Sequence, residues 1–187
     1  CGSNNLEKNF KKGNIKNFEF LFAFDGDADR FLVAEKDYGV IETEKIALIY
    51  AIYFLRKKKI KNIVMTDISN PWLVNELKKV GIKKVTSKVG DRNVTDKIKK
   101  FKSFFGFETS GHFCFNHSMD GIFAASLFTK IINKDKNLIY EILKKKIDYI
   151  KIVIAIKSEC IGLVKNFLSK KINKIRYTLR KSIWNDY

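Results

Sequence analysis

Paired cysteines, prolines and long apolar runs are all scarce in this sequence. The three cysteines, Cys1, Cys114 and Cys160, are far apart and form no C-x-x-C pair, so neither a zinc site nor a disulfide framework is indicated. The longest apolar run, residues 46–55, is far shorter than the roughly 20 residues that a membrane helix needs. We therefore expect a cytoplasmic protein that does not cross a membrane.

Acidic residues are outnumbered, since 37 Lys and Arg against 20 Asp and Glu give a formal net charge of +17. Such a charge first suggests nucleic-acid binding. However, the excess is nearly all lysine, spread along the chain, whereas arginine is the residue that pairs bidentately with phosphates and bases. Abundant Asn, Ile and Phe with a single proline, Pro71, are a set that shares A/T-rich codons. We attribute the charge to base composition on solvated surfaces and do not expect a nucleic-acid partner.

An apolar fraction of 45% in 187 residues predicts a globular chain with a real core. Strands are predicted at residues 18–24, 31–34, 63–66, 84–87 and 104–107. Helices are predicted at residues 43–55, with Thr43 as N-cap, and at 72–80, 95–101, 120–132 and 138–146. This alternation with short connections indicates an α/β fold. Residues 149–156, 161–169 and 175–179 are predicted as strand, helix and strand of a smaller α+β unit.

An acidic loop, DGDADR, directly follows the first predicted strand. Its carboxylates, Asp25, Asp27 and Asp29, stand at alternate positions on one turn and repel one another unless a cation lies among them. We expect Gly26 to let the backbone fold so that they converge. Hard oxygen ligands suit Mg²⁺ or Ca²⁺, and Arg30 beside them is placed to hold a phosphoryl group. The loop therefore predicts a magnesium site; a solvated acidic turn is the alternative.

Two other kinds of protein carry a similar acidic loop. An EF-hand needs glycine at the sixth loop position and glutamate at the twelfth, where this chain has Arg30 and Lys36, so that site is excluded. A phosphatase with an aspartate nucleophile also follows an apolar strand with D-x-D, but it usually has Thr or Val in place of Asp29. It remains an alternative, with Asp25 as the nucleophile.

Two further polar loops follow predicted strands. Residues 108–112 (ETSGH) place a carboxylate, a hydroxyl and an imidazole on one turn, which can hold sugar hydroxyls and transfer a proton; a polar surface turn fits equally well. Residues 88–92 (KVGDR) combine a Gly turn with opposite charges, compatible with substrate contact or with a surface ion pair. His117 has no evident partner, and we interpret it as a surface histidine.

Together the three loops, in this order, resemble those of the α-D-phosphohexomutase family, and its phosphoglucosamine mutase branch most closely. That branch carries motifs of the form DGDGDR, KVGDR and GExSGH, which here read DGDADR at 25–30, KVGDR at 88–92 and GFETSGH at 106–112. Residues 1–3 (CGS) and 120–122 (DGI) also resemble segments of the family. The resemblance thus covers essentially the whole chain.

The resemblance implies an isomerase that interconverts glucosamine 6-phosphate and glucosamine 1-phosphate through a phosphoserine and a bisphosphate intermediate. It implies Mg²⁺ as cofactor, bound by Asp25, Asp27 and Asp29. It implies catalytic roles for Arg30, Lys88 and His112. The implied substrate contacts are Glu108, Ser110, His112, Asp91, Arg92, Arg180 and Ser182. A phosphohexomutase of another specificity (phosphomannomutase or phosphoglucomutase) and a non-catalytic RNA-binding protein remain alternatives, and the sequence does not indicate an oligomeric state.

The resemblance also implies three domains: residues 1–38 as the end of a second α/β domain, 39–146 as a third, and 147–187 as an incomplete phosphate-binding domain. The family's SHNP-type serine loop is absent from this sequence. Its RKSGTEP-type phosphate loop begins at residues 180–182 but is not continued by residues 183–187. We therefore expect a fragment, or a decayed protein, that binds Mg²⁺ weakly and does not turn over substrate alone.

Overall fold

The computed structural model describes residues 18–116 and 118–148, together with residues 6, 160, 162, 163 and 166. The chain divides into two compact units, Cys1–Tyr149 and Ile150–Tyr187, and the architecture below belongs to the first. The α+β elements predicted after residue 148 lie almost entirely outside the described residues, as do His117, Arg180 and Ser182. The division into three domains stays a prediction.

The described part of the first unit contains two sheets. A small antiparallel sheet has the order β1-β2-β3, with β1 at Phe20–Phe24, β2 at Phe31–Glu35 and β3 at Gly39–Val40. A larger sheet has the order β5-β4-β6-β7-β8, with β4 at Asn62–Thr66, β5 at Lys83–Ser87, β6 at Phe105–Phe107, β7 at Phe113–Phe115 and β8 at Ser118–Met119. Strand β4 is parallel to β5 and β6, whereas β7 is antiparallel to both of its neighbours. The predicted α/β class, with a mixed sheet, is confirmed.

Four helices pack on this framework in the described ranges: α1 at Thr43–Arg56, α2 at Pro71–Lys79, α3 at Asp91–Phe101 and α4 at Gly121–Leu143. Helices α1, α2 and α4 contribute to the main core, which also takes Ile63 and Met65 from β4. Helix α3 packs on the other face of the sheet, against Val64. Because side chains alternate along a strand, β4 is covered by helices on both sides.

The main core is built around Tyr50 of α1, whose side chain is fully buried. Its ring contacts Phe113 and Phe115 at centroid distances of 5.4 Å and Phe105 at 5.8 Å, all edge-on. Its hydroxyl donates to the Ala124 carbonyl of α4 at 2.6 Å, so the buried phenol is satisfied. This cluster fixes β6 and β7, the two strands that carry the loop at residues 108–112.

Two predicted helix starts are wrong. Glu42, not Thr43, is the N-cap residue of α1, and the Thr43 hydroxyl instead donates to the Thr109 carbonyl at 3.1 Å. Helix α3 begins at Asp91 rather than at Thr95, directly after Gly90 at φ 121°. The end of the KVGDR segment is therefore the first turn of a helix and not a free loop.

Helix α4 contains the two helices predicted at 120–132 and 138–146. They are separated at Asp135, where the backbone is non-helical (φ −154°) and the carboxylate accepts from Leu138 N at 3.4 Å. Strands β3, β7 and β8 have only two or three residues, too few to show a period in the sequence. None of the helices in the described ranges combines the length and apolarity needed to span a bilayer.

Candidate functional site

The acidic loop joins β1 to β2, and its predicted ligands do converge. One ligand atom from each of Asp25, Asp27 and Asp29 lies within 4.8 Å of the others. Asp25 Oδ1 accepts from Arg30 N at 3.1 Å, and its Oδ2 lies 3.0 Å from Arg30 Nε. Both carboxylate oxygens of Asp25 are thus in contact with Arg30.

The tight turn of this loop depends on Ala28 and not on Gly26. Ala28 has φ 58°, in the left-handed region, whereas Gly26 is not among the described residues with positive φ. A left-handed conformation costs an L-residue about 1–2 kcal/mol. The expectation that Gly26 makes the turn was wrong, and the strain lies where the family motif carries its second glycine.

The electrostatics of the acidic loop fit a cation. Burial raises the pKa of Asp29, and repulsion from Asp25 and Asp27 raises it further, while a charged His112 acts in the opposite direction. Burial also opposes ionisation of Asp25, but hydrogen bonding from Arg30 N and the Arg30 charge outweigh it, so the net pKa of Asp25 is lowered. Three carboxylates that repel one another and are only partly compensated by Arg30 and His112 are a hard oxygen donor set of the kind that Mg²⁺ prefers.

The loop between β6 and β7, residues 108–112, is pinned to the small sheet. Phe31 N donates to the Gly111 carbonyl at 3.0 Å, and an isolated antiparallel bridge joins Arg30 to His112. Within the loop, Glu108 N donates to the His112 carbonyl at 2.9 Å. The two sheets therefore meet where their polar loops meet.

His112 is the side chain that links the two loops. Its Nε2 lies 3.2 Å from Arg30 Nε, which donates to it, and 3.2 Å from Asp29 Oδ2. Its Nδ1 lies 2.9 Å from Ser110 Oγ. When Nε2 accepts from Arg30, the proton of the neutral ring is on Nδ1 and is donated to Ser110. Both ring nitrogens are thus occupied by protein partners.

Glu108 is buried and held by the segment at residues 88–92. Gly90 N donates to Glu108 Oε1 at 2.7 Å, and Glu108 Oε2 lies 3.5 Å from His112 Nδ1. By contrast, Lys88, Asp91 and Arg92 are exposed, and within the described ranges no hydrogen bond or ion pair joins their side chains to the other predicted site residues. The structure thus brings the backbone of this segment to the site but not these side chains.

Sequence reasoning missed two residues that position the loops. Gly121, noted only as part of a helix start, donates from N to the Ala28 carbonyl at 2.9 Å, and a Cβ there would lie 2.6 Å from the Arg30 carbonyl oxygen. The DGI motif was a signal for this contact. Thr43 orients the Thr109 carbonyl, and nothing in the sequence around it indicates that contact.

The sequence matches the domain family described as phosphoglucomutase/phosphomannomutase, alpha/beta/alpha domain III, over residues 42–149. The chain belongs to the phosphoglucomutase/phosphomannomutase family. Within that family it is similar to the phosphoglucosamine mutase of Desulfotalea psychrophila, at 36% identity over 149 residues, covering 76% of this chain and 33% of that protein. It is also similar to the phosphoglucosamine mutase of Finegoldia magna, at 30% identity, covering 75% of this chain and 32% of that protein.

Solved structures of phosphoglucomutase/phosphomannomutase proteins have the same fold. A family protein from Burkholderia thailandensis superposes with a TM-score of 0.65 at 23% identity, over 74% of this chain and 31% of that one. A putative phosphomannomutase from Thermus thermophilus gives a TM-score of 0.64 at 23% identity, over 74% of this chain and 34% of that one. The chain spans about a third of the length of these relatives.

Proposed function

We propose that this chain is the metal- and sugar-binding part of a phosphoglucosamine mutase, which interconverts glucosamine 6-phosphate and glucosamine 1-phosphate. The observation that carries the proposal is the position of His112 Nε2, 3.2 Å from both Asp29 Oδ2 and Arg30 Nε. It makes a candidate cation site and a candidate sugar site one continuous polar surface. The similarity to phosphoglucosamine mutases supports the choice of amino sugar over mannose or glucose.

The acidic loop would hold Mg²⁺ through Asp25, Asp27 and Asp29. A cation bound there neutralises phosphoryl oxygens and stabilises the charge that develops during transfer. The Arg30 side chain is 35% exposed. Its guanidinium can therefore pair with a phosphoryl oxygen while Nε stays against Asp25. Arg30 would thus orient the phosphoryl group beside the acidic loop.

The loop at residues 108–112 would bind the sugar. Glu108 Oε1 is fixed by Gly90 N, so a sugar hydroxyl would meet an acceptor that is already oriented. Ser110 Oγ, next to His112 Nδ1, would serve as a second partner. Since these contacts are made to hydroxyls that several hexoses share, they bind the ring without selecting the amino group. Asp91 and Arg92 would reach the substrate only from the exposed first turn of α3.

The proposed reaction has two transfers. A phosphoryl group leaves a serine of the whole enzyme for the free hydroxyl of the sugar phosphate: the serine O–P bond breaks, the new sugar O–P bond forms, the sugar hydroxyl proton passes to a base and the serine oxygen takes up a proton. After the bisphosphate reorients, its other phosphoryl group returns to the serine: the serine hydroxyl gives its proton to a base, the sugar O–P bond breaks and the freed sugar oxygen takes up a proton. Lys88 and His112 are the two candidates for the proton-transfer group: both ring nitrogens of His112 have protein partners, and the Lys88 side chain is exposed.

A chimera tests this function. Residues 25–143 of this chain would replace the corresponding segment of the Desulfotalea psychrophila enzyme, and glucosamine 1-phosphate formation would be followed in a coupled assay primed with glucose 1,6-bisphosphate. We expect turnover, and a loss of about 100-fold or more with Asp27→Asn, in line with the several kcal/mol that metal catalysis supplies. Asp37→Asn, in the exposed turn after β2, is the matched control and should retain activity.

Circular dichroism would establish that the chimera folds, and a folded chimera without turnover would contradict the proposal. A second measurement avoids the chimera. Glucosamine 6-phosphate added to the isotope-labelled chain should shift the backbone amides of Thr109 and Gly111, and Glu108→Ala should abolish those shifts. Unchanged Thr109 and Gly111 amides at saturating ligand would likewise argue against a sugar site in this loop.

A further inference from the structure

Ten exposed lysines gather at one edge of the large sheet, at the amino ends of its parallel strands. They lie at the ends of helices α1, α2 and α3 and in the connections that lead from these helices to β4, β5 and β6. We call this surface the basic edge. Its lysines are Lys57, Lys58, Lys59, Lys61, Lys78, Lys79, Lys83, Lys99, Lys100 and Lys102.

The three connections are neighbours in space. Strands β5 and β6 both run parallel to β4, so all three begin at the same edge of the sheet. Lys83 N donates to the Lys61 carbonyl at 3.0 Å, and the Ser103 hydroxyl donates to Asn62 Oδ1. Helices α1 and α2 pack on one face of the sheet and α3 on the other, so the charges lie on both sides of it. Lysines that are dispersed in the sequence are therefore concentrated in the fold.

Acidic residues are absent from the sequence around these lysines. The three stretches without Asp or Glu are residues 57–66, 77–85 and 97–105. In the part of the chain that the structure describes, Lys79 is the one lysine of the basic edge that forms an ion pair, with Glu76. By contrast, the connections that leave the carboxyl ends of the same strands carry Asp67, Asp91 and Glu108. Base composition alone does not explain this asymmetry between the two ends of the sheet.

The stability of the fold accounts for only part of this arrangement. Lysines in a last helical turn complement the helix dipole, but the effect fades beyond that turn, and Lys61 and Lys83 lie outside the helices. Lys58 and Lys102 have φ 56° and 48°, in the left-handed region where glycine is favoured. The basic edge thus carries lysine at a conformational cost in two places, and strain of this kind clusters at functional positions.

An aromatic side chain lies among the charges. Phe101, the last residue of α3, is 44% exposed, and Lys97 Nζ lies 5.5 Å from the centroid of its ring. Arg56, at the end of α1, is paired with Asp135. The basic edge therefore offers ammonium groups and one exposed ring, and its neighbouring guanidinium is already engaged.

We propose that the basic edge binds reversibly to an anionic membrane surface, without crossing the bilayer. Each lysine close to such a surface strengthens binding about fivefold, which corresponds to about 1 kcal/mol. A lipid surface attracts lysine by charge alone, and an aromatic ring can enter its headgroup region. Nucleic acids favour arginine forks and several stacked rings, which this edge does not present in its described residues. The inference does not rest on the proposed function, whose loop at residues 108–112 follows the carboxyl end of β6.

Vesicle binding by the 187-residue chain tests the inference. The chain would be sedimented with sucrose-loaded vesicles, made either of phosphatidylcholine alone or of an equimolar mixture of phosphatidylcholine and phosphatidylglycerol. We expect binding to the anionic mixture at about 0.1 M salt and its loss at about 1 M, because the Debye length falls from about 10 Å to about 3 Å. Equal binding to both kinds of vesicle, or binding to neither, would overturn the inference.

Two triple variants separate the basic edge from net charge. The edge variant removes one lysine at the start of each parallel strand, namely Lys61→Gln, Lys83→Gln and Lys102→Gln. The control variant removes three exposed lysines outside the edge, namely Lys36→Gln, Lys130→Gln and Lys144→Gln. The edge variant should weaken binding to anionic vesicles by about tenfold to 100-fold, and the control variant by less than about threefold. Equal weakening by both would refute a role for the edge.

A double glycine variant keeps loss of binding apart from loss of folding. Lys58→Gly combined with Lys102→Gly removes two charges of the basic edge and relieves its two left-handed lysines. We expect binding to anionic vesicles to weaken by about tenfold, while the melting temperature is no lower than that of wild type. A variant that binds these vesicles as tightly as wild type would contradict the inference.

The variant Phe101→Trp reports which face of the chain meets the bilayer. Its fluorescence emission should shift to the blue on anionic vesicles, because the indole ring enters the headgroup region. Unchanged emission from the bound variant would show that another face makes the contact and would refute the inference. Poly(U) is the competing polyanion. Release of the chain from the vesicles by poly(U) at an equal phosphate concentration would identify single-stranded nucleic acid as the preferred partner and would overturn the membrane assignment.

Discussion

The two loops that meet at His112 differ in how the protein holds them. In the loop at residues 108–112, Glu108 and His112 are 5% and 8% exposed, and each has a protein partner at hydrogen-bond distance. In the acidic loop, Asp27 is exposed, and its charge helps to raise the pKa of Asp29. The first loop is organised before any ligand arrives, whereas the second keeps a repulsion that Arg30 and His112 offset only in part and that a bound cation would relieve.

The supporting strands explain this difference. Strands β6 and β7 are buried at every position, and their phenylalanines pack around Tyr50. Strand β1, which leads into the acidic loop, is only partly buried at all five positions. The loop at 108–112 is therefore held by two strands of the buried core. The acidic loop depends on contacts made by its own backbone and by Gly121.

The largest expected effect comes from Gly121→Ala. Its new methyl group would lie 2.6 Å from the Arg30 carbonyl oxygen and 2.7 Å from that of Ala28, and neither is a flexible side-chain end. We expect a loss of about 2–3 kcal/mol in the free energy of unfolding. The acidic loop should move while Tyr50 and its ring cluster keep their spectra. Urea unfolding and nuclear magnetic resonance measure the two effects.

Gly26→Ala is the matched control for that variant. It lies in the acidic loop itself, its φ is not in the left-handed region, and nothing lies within 4 Å of its added Cβ. Its unfolding free energy should stay within about 0.5 kcal/mol of wild type. Equal destabilisation by both variants would show that the contact with Gly121 does not hold the acidic loop in place.

Glu108→Ala tests the pre-organised loop. It leaves Gly90 N without its acceptor in a partly buried environment, and an unsatisfied donor costs about 1–3 kcal/mol when it is buried. We expect the free energy of unfolding, measured with urea, to fall by about 2 kcal/mol, and Mg²⁺ binding to be retained. Glu141→Ala, exposed on α4, is the control and should be neutral. If Mg²⁺ binding fell with Glu108→Ala, the two loops would not be independently held.

Glu76 on α2 lies outside both loops and provides a carboxylate for comparison. Burial opposes its ionisation, but hydrogen bonds and charge from Lys145, at 2.9 Å, and Lys79 outweigh it, so the pKa of Glu76 is lowered from 4.5. A lowered carboxyl pKa contributes stability above the unfolded value, and that stability is lost as pH falls through the folded value. Glu76→Gln should cost about 1 kcal/mol at pH 7, because the lysine ends are partly solvated.

The pH series checks this assignment. The difference in unfolding free energy between wild type and Glu76→Gln should shrink as pH falls below 4.5, where the unfolded carboxyl takes up its proton. A difference that is the same at every pH would mean that Glu76 acts through packing and not through its charge.

The smallest effect, and the only gain, is expected from Ala28→Gly. Glycine relieves the left-handed strain at φ 58° but adds freedom to the unfolded chain, so the net gain is about 0.5 kcal/mol. Ala28→Ser keeps the Cβ and should bring no gain. Differential scanning calorimetry measures the stability of both variants. A loss of stability with glycine would show that the acidic loop does not store strain at Ala28.

The sequence predicted those parts of the site that are local. Residues 25–30 and 108–112 follow strands of the expected type, and three converging carboxylates could be inferred from their spacing. Phe107, an exception to the family motif, fits because it stacks on Phe113 at 6.1 Å. That substitution could be seen in the sequence, but its packing partner could not.

What the sequence did not reveal depends on contacts between distant positions. The Thr43 hydroxyl meets the Thr109 carbonyl 66 residues away. Helix α3 starts at Asp91, directly after Gly90. The N–H of Gly90 donates to the carboxylate of Glu108, 18 residues away. Local patterns such as a threonine before an apolar run favour an N-cap, and tertiary contacts override them.

A magnesium titration of the chain tests the central claim most directly. The free energy of unfolding should rise with Mg²⁺, by about 2.7 kcal/mol at 100 times the dissociation constant, because the ion binds only the folded loop. Asp27→Asn should remove most of this rise, since Asp27 is a proposed ligand whose side chain is exposed, and Asp37→Asn should keep it. A wild-type chain that gains no more from Mg²⁺ than Asp27→Asn does would contradict the account.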